Sequence, residues 1–271
     1  MVDTHERRAM KKLNGLAKIN KYRANSWRVP GWFPLVDFEL FSTISEAQLE
    51  AGFRGDILEI GTYKGKSGIL LTLCAEPTER VRLLDLYADI QYEANPDSRD
   101  YKKLDQSQTI KNLNRFGSKY ELVIGNSLEL PNLIPGTSHR IIHIDGSHQY
   151  EIVRHDLQNA LRILSPEGVI ILDDYSNFAY PGVARAFWEF YENNEIGIIC
   201  ATPARIYVTK KQYISSYQLA LKELSLWRSS VGLGANEDLR FNLINYKGRK
   251  RLIQKVHSFL SLFILGISRI R

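Results

Sequence analysis

Two short stretches in the middle of the chain carry more acid and imidazole than a core or a solvated face needs. His143-Ile144-Asp145-Gly146-Ser147-His148 closes one β-branched run, and Asp173-Asp174-Tyr175 closes the next. Like charges brought together cost heavily unless a cation neutralises them. Carboxylate oxygens are hard ligands and suit Mg2+, or Mn2+ or Ca2+. His148 falls three residues past Asp145, so it can stand beside such an ion rather than on it. An imidazole titrates near neutrality and is a natural general base. The plainer readings are a capping and turn role for the Asp pair and a helix-start role for His148. His143 alternates with apolar residues and reads as a satisfied core histidine, and His155 as structural. Zinc fits poorly, because no cysteine is near and the acids outnumber the histidines.

Other candidates sit at similar places. Glu59-Ile60-Gly61-Thr62-Tyr63-Lys64-Gly65-Lys66-Ser67 follows an apolar run. Glycines four apart let the backbone turn sharply and approach a ligand closely, and a helix starting near Ser67 would point free N–H groups at it. The third glycine of a dinucleotide-binding turn is missing, and a plain strand–helix turn is the bland alternative. Asp85 ends another run, where an acid can bind both hydroxyls of a ribose or merely be solvated. Gly125-Asn126-Ser127 ends a third, where Asn126 or Ser127 could meet an adenine edge or cap a helix.

These residues need a frame that brings strand ends together. Apolar runs at 56–60, 81–86, 120–124, 140–144, 168–172, 196–200 and 205–209 alternate with helical stretches near 67–76, 105–116, 149–163 and 182–194. Strands alternating with helices predict an α/β doubly wound, mostly parallel sheet with helices on both faces. Only Thr202-Pro203-Ala204 joins the last two runs, which is too short for a helical crossover and predicts an antiparallel hairpin. The expectation is seven strands in a Rossmann-like domain over 51–211. Helical additions are expected at 1–50 and 212–271. Sites in such sheets form beyond the carboxyl ends of the strands, where all the candidates lie. The polar stretch 87–103 reads as a lid or a long surface loop.

The 271 residues are 44% hydrophobic and 24% charged, an ordinary globular composition. Cys74 and Cys200 are too few for a disulfide framework or a four-cysteine zinc site. Residues 1–28 hold eight Lys and Arg against Asp3 and Glu6, and residues 245–271 hold seven with no acid. Taking these ends from the net +6 leaves 29–244 at −7, a poor surface for gripping nucleic acid. No secretory signal or spanning apolar run is visible, and a cytoplasmic location is expected. The basic tail with Phe259 to Ile267 reads as a terminal helix packed on the domain or a second subunit. The sharper alternative is an interfacial helix meeting anionic lipid at the inner face of a membrane.

Residues 56 to about 190 resemble a class I S-adenosylmethionine-dependent methyltransferase, and more narrowly the macrocin O-methyltransferase family. Glu59-x-Gly61-x-x-x-Gly65-x-Ser67 resembles its nucleoside-binding turn. His143-Ile-Asp145-Gly-Ser-His148-Gln-Tyr150, running on to Arg154-x-Asp156-Leu157, resembles its metal-and-base segment, and Pro166-x-Gly168-Val-x-x-x-Asp173-Asp174-Tyr175, then Pro181-Gly182-Val183, its second metal segment. The resemblance implies that Glu59, Gly61, Gly65 and Ser67 line the methionine and ribose side of S-adenosylmethionine, that Asp85 holds the ribose, and that Asn126 and Ser127 lie by the adenine. It implies that Asp145, Asp173 and Asp174 hold Mg2+ or another divalent ion and that His148 is the base. The implied reaction is methyl transfer to a hydroxyl of a sugar or other small molecule. A hydroxylase-associated relative of the same fold, or a non-catalytic scaffold that kept the pocket, is the rival.

Overall fold

The computed structural model describes residues 4–87, 105–136, 138–222, 224, 227–232 and 240–245. The stretch read as a lid falls almost wholly outside the described residues, and so does the basic tail beyond residue 245.

Two helices, α1 (Thr4–Asn25) and α2 (Leu35–Glu50), precede the sheet. The alternation then runs β1 (Asp56–Ile60), α3 (Lys66–Cys74), β2 (Val81–Asp85), α4 (Gln106–Arg115), β3 (Glu121–Ile124), α5 (Leu130–Leu133), β4 (His139–Ile144), α6 (Tyr150–Ile163), β5 (Leu164–Asp173), α7 (Pro181–Glu192), β6 (Ile196–Ala201) and β7 (Arg205–Lys210). After α8 (Ile214–Lys222) come β8 (Trp227–Gly232) and β9 (Arg240–Asn245). The strand order is β3-β2-β1-β4-β5-β7-β6-β9-β8. Strands β1 to β5 are mutually parallel, and β7 runs antiparallel to both β5 and β6. The seven expected strands and their terminal hairpin are therefore present.

The helical expectation for 212–271 holds for α8 and fails for β8 and β9. These form a hairpin whose β9 lies parallel to β6, extending the sheet to nine strands. Phe241 and Leu243 alternate around Asn242 in β9, the period of a strand. In the sequence that local alternation is overshadowed by the basic charge of the segment that follows.

Most strands are buried on both faces, as a doubly wound sheet requires. One face carries a core of α2, α3 and α8 residues with Ile57, Ile141 and Ile171; the other carries α6 and α7 against Leu58, Ile142 and Ile170. The N-terminal helices belong to the first core: Phe38, Leu40, Phe41 and Ile44 of α2 are buried. A buried cation fastens α2. Arg140 on β4 donates to Glu79, to the Gln48 side-chain oxygen at 2.8 Å, to Ser45 and to the Cys74 carbonyl. Gln48 returns a 2.7 Å bond to the Arg140 carbonyl. Cutting one partner from a buried ion pair strands the other charge. Arg140→Ala should therefore destabilise the fold by about 3–5 kcal/mol, read as a shift in the urea midpoint. A loss below 1 kcal/mol would show that the network is dispensable.

Candidate active site

The strand order reverses between β1 and β4, so the loops leaving them diverge and open a crevice at their carboxyl ends. Gly61 lies at its floor. Its φ is +89°, and a Cβ there would stand 2.0 Å from the Asp145 carbonyl oxygen. Only glycine allows the two strand ends to approach this closely.

Gly65, at φ +81°, starts α3 with no side-chain cap. Its missing side chain faces Leu113 and Thr109 of α4, each 3.4 Å from a built Cβ. The left-handed backbone is therefore a reason of its own for glycine here, separate from the close approach to a ligand that the sequence suggests. Gly65→Val should lose about 1–2 kcal/mol or more of stability, measured by denaturation. Unchanged stability would contradict this.

The turn is tied down from outside. Asp85 accepts the Tyr63 amide at 2.6 Å and the Tyr87 amide at 3.3 Å. Burial raises the Asp85 carboxyl above its usual range, and the amides of Tyr63, Tyr87 and Leu86 pull part of it back. The Thr109 hydroxyl bonds the Tyr63 carbonyl, and Asn112 bonds the Lys64 carbonyl at 2.9 Å. Asn126 accepts the Leu128 amide at 3.0 Å, starting the helical turn Ser127–Glu129. This is the capping role that the sequence had left open.

Behind the crevice lies a buried polar layer that the sequence reading missed. Glu59 on β1 and His143 on β4 are adjacent in register and fully buried, and they meet at 3.0 Å between Oε1 and Nδ1. Burial pushes the Glu59 carboxyl up to about 8, with Ser67, Thr62 and Arg205 opposing the rise. Those hydroxyls are near, yet Glu59 Oε2 has no well-formed hydrogen bond. Burial pushes His143 down to about 3, helped by the charge of Arg205, so His143 is neutral. His143 was expected to be a satisfied core histidine, and it is one.

Arg205 opens β7, with β5–β7 register setting it opposite Asp173. Its guanidinium is buried among acids. It bonds Asp173, reaches Asp37 of α2 at 3.2 Å, contacts His143 Nε2 at 3.4 Å, and lies 3.7 Å from Asp145. Burial would favour its neutral form, but Asp173, Asp37 and Asp145 more than reverse this and keep it charged. A lone arginine opening an apolar run in a buried strand must have a partner, and that was the available signal.

Asp145 remains under-compensated. Burial first, then the charge of Asp173, raises its carboxyl well above the ordinary range. Asp174 sits in left-handed backbone, φ +56°, a strain on the order of 1 kcal/mol of the kind found at functional sites. Burial pushes the Asp174 carboxyl up, but hydrogen bonds from His148 and Asn177 outweigh it, and the net shift is downward. His148 Nε2 stands 3.0 Å from Asp174 Oδ2, and its ring stacks on Tyr180 with centroids 3.9 Å apart. The three expected acids thus divide between two overlapping groups, His143–Asp145–Asp173 and Asp145–His148–Asp174, each with ligand atoms within 4.8 Å of one another. The second is partly exposed and presents hard oxygens with one imidazole, a donor set suited to a divalent ion.

The segment before α2 closes one side. The Trp32 ring stacks on Tyr63 of the glycine turn, and Phe33 lies 4.7 Å from the Arg205 guanidinium carbon. Trp32 is 80% exposed, leaving an indole face at the rim.

Residues 58–175 match the family described as a methyltransferase domain. Among solved structures, the fold is similar to the O-methyltransferase NovP, with a TM-score of 0.52 and 18% identity over 64% of this chain and 79% of that one. It is also similar to cofactor-bound Rv0187 from MTB, with a TM-score of 0.50 and 21% identity over 73% of this chain and 88% of that one. No curated protein sequence matches the chain. Residues 58–175 match that methyltransferase-domain family, and the sheet around them has the Rossmann-like class I methyltransferase fold expected from the sequence. No helix among the described residues is long and apolar enough to cross a membrane.

Asp156 gives this domain a titration of its own. It lies buried on α6, burial lifts its carboxyl to about 7, and the nearby Ser127 hydroxyl opposes the rise. Neither oxygen has a well-formed hydrogen bond. The raised value means that the folded chain holds this proton after the unfolded chain has released it. Below about pH 4 the group has no effect; from about 4 to about 7 stability falls; above that the penalty is complete. Asp156→Asn should therefore stabilise the chain more at pH 8 than at pH 5 in urea titrations. An equal change at both would remove Asp156 as the cause.

Proposed function

We propose that the protein is a metal-dependent O-methyltransferase that moves the methyl group of S-adenosylmethionine to a hydroxyl of a sugar or other hydroxylated small molecule. The observation that carries this reading is the convergence of Asp145, His148 and Asp174 at the mouth of the crevice whose floor is the Gly61 turn. The methyltransferase domain and its O-methyltransferase-like fold support the transfer.

In this reading Glu59, Gly61, Gly65 and Ser67 border the cofactor's methionine and ribose. Asp85 holds the ribose with the carboxylate lone pairs left over from Tyr63 and Tyr87, and Asn126 and Ser127 border the adenine. The strand-end carboxylates hold a divalent ion, which when bound lowers the proton affinity of the acceptor hydroxyl. His148 takes that proton; the Tyr180 stack and the Asp174 contact hold the ring in place. Alignment of acceptor oxygen and methyl group supplies much of the acceleration. The exposed Trp32 face suits the apolar side of a sugar or aromatic ring.

The test begins with calorimetry of the full chain with S-adenosylmethionine, then a screen of sugar and catechol acceptors for S-adenosylhomocysteine release. Once an acceptor is found, turnover should vanish in EDTA and return with Mg2+. His148→Ala should still bind cofactor but turn over about 100- to 10,000-fold more slowly. Full turnover in EDTA would sink the metal, and full turnover in His148→Ala would sink the base. Cofactor binding with no turnover on any acceptor would favour the scaffold alternative, and absence of cofactor binding would sink the methyltransferase reading.

A further inference from the structure

The three acids that sequence resemblance assigns to one ion are not equivalent in this chain. Asp173 is already neutralised. It faces Arg205 across the β5–β7 ladder and bonds its guanidinium, while its other oxygen accepts the Asp174 amide at 2.8 Å. Arg205 has little freedom to leave. Its Nη1 is on Asp37 and its Nε is toward His143 Nε2, and it is 1% exposed. Asp37 is in turn fixed by the Tyr207 hydroxyl at 2.6 Å and the Thr202 hydroxyl at 3.0 Å. A guanidinium is always charged and presents a rigid fork, so this corner already holds a permanent cation with its donors directed at Asp173 and Asp37.

On the other side, Asp174 meets His148 at 3.0 Å and feels the Arg205 charge without a described ion pair to it, and Asp145 belongs to both groups, 3.7 Å from Arg205. The Arg205 guanidinium makes direct ion pairs with Asp37, Asp173 and Asp145, while among the described ion pairs Asp174 has only His148. A second cation entering the cluster is repelled by Arg205 and drawn to Asp174.

We infer that Arg205 removes Asp173 from the ion's ligand set, so that Asp145 and Asp174 alone supply its carboxylates. Asp173 and Asp37 become a positioning pair: they hold Arg205 behind Asp145, and Asp173 orients the Asp174 backbone. Arg205 is then a built-in counter-ion that takes the place of one carboxylate's share of the metal. With two carboxylates rather than three, the ion is held exchangeably. This rests on the metal-dependent reading above.

The direct experiment uses Mn2+ alone as the probe. Crystals of the full chain soaked in MnCl2 should show an anomalous peak within bonding distance of Asp145 and Asp174, with Asp173 still on Arg205. In solution, titration followed by Mn2+ resonance should show Asp174→Asn binding Mn2+ more weakly by over about tenfold, at least what losing an outer partner costs. Thermal melts confirm that the variant is folded. A manganese–Asp173 bond, or unaltered affinity in folded Asp174→Asn, overturns the inference while leaving a metal enzyme. If the wild-type chain takes up no Mn2+ in crystal or solution, the metal-dependent reading falls and the inference falls with it.

Discussion

A single buried guanidinium organises the carboxyl ends of β4, β5 and β7. Without Arg205, the acids Asp37, Asp145 and Asp173 would share a desolvated space with no fixed positive charge. Several ionised acids cannot coexist there, so protons or a separation of the strands would have to relieve them. With it, α2 is tied to β7, and β7 is tied to β5 by side chains as well as by the ladder. The neutral Glu59–His143 pair fits behind the same cation because neither member adds charge to it. The arrangement is costly to desolvate and gives its return in geometry: the strand ends are placed by ion pairs whose directions are fixed.

The fold was legible because its signals are local and repeated. Continuous β-branched runs gave the two-faced strands, and the three-residue gap at Thr202–Ala204 required the hairpin. The convergence of the candidate site's side chains was legible, and the ion pairs among them less so. Asp145, His148 and Asp174 come together as their spacing and strand-end positions suggested. The assignment of Asp173 depends on which strand lies beyond β5 and in what register, and neither is written in the segment around Asp173 itself. Gly61 and Gly65 look alike in sequence, yet one accommodates a neighbouring strand end and the other a left-handed turn. That difference exists only in three dimensions. The β8–β9 hairpin was missed because the charge of the residues after it outweighed a short local alternation.

Tyr63 illustrates how binding surfaces can be built from structural necessity. The Asp85 and Thr109 bonds on its backbone fix the turn. Its ring is then available to support Trp32. A rim residue held this way presents its partner with little loss of side-chain freedom on contact, which favours tight recognition.

The position of Asp37 bears on where this protein can be cut. The stretch recognisable as a methyltransferase domain ends at residue 175 and begins at residue 58, yet Asp37 lies upstream of it and Arg205 downstream. The boundary drawn by similarity therefore passes through the middle of one ion network. A chimera assembled at that boundary would inherit Asp145 and Asp173 while depending on a foreign scaffold for their counter-charge. A graft of the recognisable stretch would have to carry Asp37 and Arg205 along with the acids they pair.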